Sequence, residues 1–151
     1  MNAAHLHLVF THLPIVGLAL AIFVNMFALL RKSDDVRKLT LWVYVVVGFF
    51  ALLAYFTGDG AEKLLETYPG YGEEQIRPHE NMAILLFIGL MLMAAIALIG
   101  LYVGKNNKIL LKRFCIILFI CALAMSYFAY ETGSTGGAIR HTEIEKGYYK
   151  N

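Results

Sequence analysis

Four long apolar stretches divide this chain, and only short polar segments lie between them. They cover roughly residues 8–30, 39–57, 80–103 and 109–131, and each is close to the about 20 residues that a helix needs to cross the hydrocarbon core of a bilayer. In a chain of 151 residues, of which 59% are hydrophobic and 16% charged, they leave almost nothing for a soluble domain. The sequence therefore predicts an all-α integral membrane protein, a single domain of four transmembrane helices followed by a short tail over 132–151.

The connections between these stretches predict how the helices are arranged. Because they are short, consecutive helices should be antiparallel neighbours in an up-down-up-down four-helix bundle. The first and third connections are basic, whereas the segment 59–78 is mainly acidic. Basic loops stay in the cytoplasm, which predicts an inner (cytoplasmic) membrane protein with both termini and the middle loop extracytoplasmic. The first stretch has no basic segment before it, so we expect a retained anchor and not a signal peptide.

All five histidines fall at helix ends that this topology assigns to the extracytoplasmic face. His5, His7 and His12 open the first apolar stretch, His79 opens the third, and His141 follows the fourth. Polar side chains are costly in lipid, and neutral imidazole is a common protein ligand for haem iron, copper and zinc. This placement predicts a bound haem or metal ion at that face.

A short motif occurs twice in the chain and suggests two-fold internal symmetry. Residues 54–58 read Ala-Tyr-Phe-Thr-Gly and residues 129–133 read Ala-Tyr-Glu-Thr-Gly, each at the end of an outward-running stretch. The two copies could form a parallel repeat. They could also reflect convergent helix capping, since glycine ordinarily terminates helices. A true repeat would create two similar half-sites about an axis along the membrane normal.

Three parts of the chain carry distinctive motifs, which are His7-Leu8-Val9-Phe10-Thr11-His12-Leu13-Pro14-Ile15, Arg77-Pro78-His79, and Gly136-Gly137 followed by Arg140-His141. These motifs resemble a known family of four-helix membrane proteins, the domain of unknown function 2231. Its members open with a His-Pro-x-x-Val-His-Phe-Pro-Ile type motif and close with a Gly-Gly and Arg-His type motif. The chain keeps both opening histidines but has Leu8 for the proline and Leu13 for the phenylalanine, and its closing motif is shorter. The resemblance covers nearly the whole chain and assigns no activity, but it implies that His5 is extra and that the functional histidines are His7, His12, His79 and His141.

Four such histidines are suited to bis-imidazole haem b. That cofactor needs two axial imidazoles from facing helices, small residues at the porphyrin edge, and cations or hydroxyls for its propionates. Four ligands allow one haem or two, and we expect His12 with His79 as the first pair and His7 with His141 as the second. The small residues are Gly17, Gly58 and Gly133, and the propionate partners are Arg77 and Arg140, with Tyr55 and Tyr130 nearby.

These features predict a membrane b-type haem protein that transfers electrons at the extracytoplasmic face. Its partner would be an extracytoplasmic cytochrome c, quinol or another membrane subunit, and no histidine marks the inner face for transfer across the membrane. Such a protein is expected to be an electron-transfer or accessory subunit more than a stand-alone enzyme. The net charge of +2 comes from the basic loops, so it requires only the lipid bilayer as a partner and no nucleic acid.

Two other functions remain open at this stage. The same four histidines, with a carboxylate such as Glu80 or Glu131, could bind a Cu, Zn or Fe ion directly. Alternatively, the protein holds no cofactor and is a structural or assembly subunit of a membrane complex, with its histidines capping helices.

Overall fold

A computed structural model describes residues 3–67 and 73–140. Within these residues the chain forms four helices: α1 (Ala3–Arg31), α2 (Asp34–Leu65), α3 (Glu73–Gly104) and α4 (Lys108–Arg140). All four are long and apolar enough to cross a membrane. The predicted four-helix bundle is thus confirmed at the level of the fold, and the protein is a multi-pass membrane protein.

Local sequence explains the tight turns at one end of the bundle. Lys32 adopts a left-handed φ of 55° directly after α1, and Ser33 then caps α2 by accepting a hydrogen bond from the Val36 backbone N–H. Asn107 caps α4 in the same way, because its side-chain oxygen accepts from Ile109 and Leu110 N–H at 3.1 Å. Such caps satisfy N–H groups that a helix start leaves without a partner.

The helices continue beyond the apolar stretches that predicted them. α2 runs eight residues past position 57, α3 begins seven residues before position 80, and α4 runs nine residues past position 131. Thr-Gly segments expected to end helices therefore lie inside them, and Pro14 and Pro78 are internal as well. Hydropathy marks only the part of a helix that lipid requires to be apolar, whereas a helix in water can be polar.

The bundle core is built mainly from aliphatic and small side chains. α1 packs against α2 and α4, and α3 packs against the same two helices. Across the described residues α2 and α4 also touch along one diagonal, while α1 and α3 make no direct backbone contact along the other. The outward faces are apolar as well, as expected for lipid contact. The core includes Leu18, Leu41, Val47, Ala51, Leu86, Leu90, Ala97, Leu111, Leu118 and Ala122.

A buried polar network joins three helices toward the end of the bundle that carries the basic turns. The Asn25 side-chain amide donates to the Tyr44 hydroxyl at 3.1 Å and to the Cys115 carbonyl at 3.0 Å. Tyr44 in turn donates to the Leu118 carbonyl at 3.4 Å. Asn25 and Tyr44 are almost completely buried. Because these bonds link α1 and α2 to α4, the network fixes how the first helical hairpin packs against the second.

Candidate functional site

His7 is held at the opposite end by the last turns of α2. Its Nδ1 lies 3.1 Å from the Ala54 carbonyl oxygen and 3.2 Å from the Thr57 hydroxyl. A carbonyl oxygen only accepts hydrogen bonds, so Nδ1 carries the proton and donates it. In the neutral ring the lone pair is then on Nε2, the nitrogen left for a ligand. Thr57 is itself fixed, because its hydroxyl donates to the Leu53 and Ala54 carbonyls at 3.0 Å.

His79 repeats this arrangement with α4. Its Nδ1 lies 3.0 Å from the Thr132 carbonyl oxygen and 3.4 Å from the Thr135 hydroxyl. Thr135 donates back to the Glu131 carbonyl at 2.6 Å. The same reasoning assigns the proton to Nδ1 and the lone pair to Nε2. Each histidine is thus oriented by a backbone carbonyl and by the threonine three residues later on the neighbouring helix.

A glycine lies beside each imidazole. A Cβ added to Gly58 would be 3.6 Å from Cε1 of His7, and a Cβ added to Gly136 would be 2.9 Å from Cε1 of His79. Gly133, in contrast, meets only a side-chain atom of Ile15 at 3.9 Å. The second half-site therefore uses the Thr-Gly pair 135–136 and not the pair 132–133.

The two half-sites face the same end of the bundle. His79 is near enough to His7 for a charge on one ring to act on the other. Both are partly buried. They are carried by α1 and α3, the two helices on the diagonal without backbone contact in the described residues. We call His7 and His79 the histidine pair.

Among the described residues, the predicted ligand His12 does not join the histidine pair. His12 is exposed, and its Nδ1 bonds the Leu8 carbonyl of its own helix at 2.6 Å. It follows His7 by five residues, which turns its side chain by about 140° around α1. His141 lies outside the described residues. His5 is exposed on α1. The expected pairs His12 with His79 and His7 with His141 stay predictions, and the two histidines that the structure orients at the same end are His7 and His79.

Not every predicted glycine and arginine contacts the histidine pair. Gly17 packs against α2, because its added Cβ would lie 2.9 Å from Val47 Cγ2, so it allows close helix packing. Arg77 is exposed and lies 3.8 Å from the Glu73 carboxylate. The side chain of Arg140 lies outside the described part of the structure.

One buried polar group in the second half-site was not predicted. The Thr132 side-chain hydroxyl has no hydrogen-bond partner among the described residues, although the residue is only 6% exposed. An unpaired buried hydroxyl costs about 1–3 kcal/mol. Thr135 and Gly136 were not predicted as residues of the site either. They form a second Thr-Gly pair three residues after the first, and this second pair is the sequence feature that points to them.

No cluster of three or more His, Cys, Asp or Glu side chains able to hold a metal ion occurs in residues 3–67 and 73–140.

Fold and site together define a multi-pass helical membrane protein with a pair of oriented imidazoles at one end. Comparison with protein-family models, with curated proteins and with solved structures gives no match to this chain. The resemblance to the domain of unknown function 2231 stays a prediction.

Proposed function

We propose that the protein is a membrane b-type haem protein and that the histidine pair provides the two axial ligands. The observation that carries this proposal is the matched orientation of the two rings. Histidines that bind metals usually donate their other ring N–H to a carbonyl or carboxylate, which fixes the ring and its tautomer. His7 and His79 both do so, to the Ala54 and Thr132 carbonyls.

The number of ligands favours haem over a metal ion held directly. A haem iron receives four nitrogens from the porphyrin and needs only two from the protein. Zinc and copper sites usually take three or four protein ligands, and the described residues assemble no such group. A directly bound Cu, Zn or Fe ion is therefore the second candidate, and a cofactor-free assembly subunit is the third.

Other side chains of the site have chemistry suited to haem. The unpaired hydroxyl of Thr132 could donate a hydrogen bond to a polar group of the cofactor, and Arg77 is exposed and only loosely paired, so it could bind a propionate. Bound haem would supply a one-electron iron couple. The two histidines would hold the iron, and Thr57 and Thr135 orient the histidines.

We further propose that the histidine end is extracytoplasmic, in the inner membrane. Arg31 and Lys32 on one turn and Lys105 and Lys108 on the other lie at the opposite end. The two turns are joined by an ion pair of 3.2 Å between Lys108 Nζ and Asp34, and basic turns are retained in the cytoplasm. Labelling of intact cells with a membrane-impermeant reagent tests this orientation.

The test of the cofactor is a reduced-minus-oxidised visible spectrum of protein purified from haem-replete cells, with elemental analysis of the same sample. A sharp reduced α-band typical of bis-imidazole haem b is expected. His7→Ala and His79→Ala should each lose it, whereas the matched control His12→Ala should keep it. Imidazole added to His79→Gly protein should restore the band, which separates ligand loss from misfolding.

Other results of these measurements would favour a different ligand pair or a different function. A lost band in His12→Ala with a retained band in His7→Ala would favour the pair His12 and His79. A flat spectrum with stoichiometric copper, zinc or iron would replace haem by a metal ion. A flat spectrum without metal would leave the assembly role.

A further inference from the structure

The helices are longer than a bilayer requires. α2 and α3 have 32 residues each and α4 has 33, which corresponds to about 48–50 Å. The hydrocarbon core is about 30 Å thick. Because the basic turns follow directly after the apolar residues at one end, the surplus length falls at the other end, where the histidine pair lies.

Charged residues mark where the hydrocarbon core must end. The sequence contains none between Lys38 and Asp59 in α2 and none between Arg113 and Glu131 in α4. These intervals are about 31 Å and about 27 Å long. A charge at the membrane centre costs at least about 2.5–3.5 kcal/mol, so the core lies between these pairs of charges.

His79 lies at the outer of these two boundaries, and His7 lies just inside it, because its partners Ala54 and Thr57 precede Asp59. His79 is flanked by Arg77 and Glu80, and its partners Thr132 and Thr135 follow Glu131. We call residues 57–67, 73–81 and 131–140 the polar collar. The His79 half-site, where the buried Thr132 hydroxyl has no partner among the described residues, is therefore built into the polar collar, and the His7 half-site lies at its inner edge.

The polar collar is predominantly acidic. Its carboxylates outnumber its basic residues, and Glu62 lies within electrostatic range of four other carboxylates. Most of the carboxylates are exposed, so the surface around the histidine pair attracts cations and repels anions. The acidic residues are Asp59, Glu62, Glu66, Glu73, Glu74, Glu80 and Glu131, and the basic ones are Lys63, Arg77 and Arg140.

We propose that the partner of the histidine pair is a water-soluble, positively charged one-electron carrier that docks on the polar collar, and not a lipid-dissolved quinol. This inference rests on the proposed function. In the exchange, the reduced carrier would lose one electron and a haem held by the histidine pair would gain it, with no bond made or broken. Complementary charge raises the rate of such encounters by about 10–1,000-fold at low salt.

The first test measures the depth of the site and does not require haem. Single cysteines are introduced by Glu80→Cys and, as a lipid-facing control on the same helix, by Leu92→Cys, in a background carrying Cys115→Ala and Cys121→Ala. Spin labels at both positions are compared in lipid nanodiscs. The label at 80 should be more accessible to a water-soluble nickel complex than to oxygen, and the label at 92 the reverse. A label at 80 accessible mainly to oxygen would overturn the inference.

The second test uses haem-loaded protein and stopped-flow spectroscopy. Hexaammineruthenium(II), a water-soluble cation, should reduce it faster than duroquinol does, and added salt should slow the ruthenium reaction. The double substitution Glu73→Gln and Glu80→Gln should lower that rate by about 3–10-fold, whereas Asp35→Asn at the opposite end should leave it unchanged.

The outcomes of this second test separate the two proposals. Faster reduction by duroquinol, or equal rates in the charge variants, would overturn the inference while leaving the haem assignment intact. If no haem spectrum is obtained at all, the proposed function fails, and with it the electron carrier, while the spin labels still decide the position of the polar collar.

Discussion

Replacing Gly136 by alanine tests how His79 is oriented. The new Cβ would lie 2.9 Å from Cε1 and 3.1 Å from Nδ1 of the ring, and carbon atoms in contact prefer about 3.5–4.0 Å. The ring must therefore move by about 0.6 Å or more. Movement of that size along the bond from Nδ1 to the Thr132 carbonyl, now 3.0 Å, would lengthen it to about 3.6 Å, which is no longer a hydrogen bond.

Gly58→Ala provides the matched control in the first half-site. There the added Cβ would be 3.6 Å from Cε1 of His7, an ordinary contact that leaves the ring in place. Both substitutions gain similar helix stability, about 0.5–1 kcal/mol, so this effect cancels in the comparison.

The assay is titration of the apoprotein with haem in nanodiscs. Loss of the group that orients a ligating histidine typically lowers affinity by about 10–100-fold. We expect a loss of this size for Gly136→Ala and less than about 2-fold for Gly58→Ala. Equal losses in the two variants, or no loss at position 136, would refute the reasoning from ring orientation.

Two further predictions concern the stability of the bundle, measured by thermal unfolding in detergent. Gly48→Ala would place a Cβ 2.5 Å from the Cβ of Ala94. It should lower the free energy of unfolding by about 1–3 kcal/mol, because it forces α2 and α3 apart. Gly137→Ala is the control, since its added Cβ meets nothing within 4 Å, and it should be neutral or stabilising. Asn25→Leu removes two interhelical hydrogen bonds and should lower the free energy of unfolding by about 1 kcal/mol. Asn25→Asp should lower it further, because it buries a carboxylate. Unchanged melting temperatures in Gly48→Ala or in both Asn25 variants would contradict these assignments.

The sequence predicted the number and class of the helices because lipid imposes a strong constraint on them. Every residue that faces the hydrocarbon must be apolar, so four helices appear as four apolar stretches. The same criterion failed for the outer helix ends. Residues 58–65 and 132–140 are rich in glycine and polar side chains, which hydropathy assigns to loops, yet both segments are helical. Outside lipid, helix formation depends on local and tertiary contacts that no hydropathy pattern records.

The candidate site was predicted only in part. The gathering of histidines at one end followed from topology, but the choice between His7 and His12 depends on which way each ring points around α1. His12 bonds its own helix and His7 bonds α2, a difference that spacing alone leaves open. The repeated Ala-Tyr-x-Thr-Gly motif likewise points to the first Thr-Gly pair of α4, because Ala129 and Tyr130 precede that pair. The contact with His79 selects the second pair, one helical turn later.

The paired half-sites imply that two different parts of the fold determine the site. Each histidine is oriented within its own hairpin, His7 by α2 and His79 by α4, so each half-site needs no contact with the other. The separation of the two rings depends instead on how the hairpins pack together. The Asn25 network contributes to that packing, because it joins the first hairpin to α4 toward the opposite end. If both histidines bind one haem as proposed, a substitution there should weaken that shared ligation while each Nδ1 hydrogen bond remains intact.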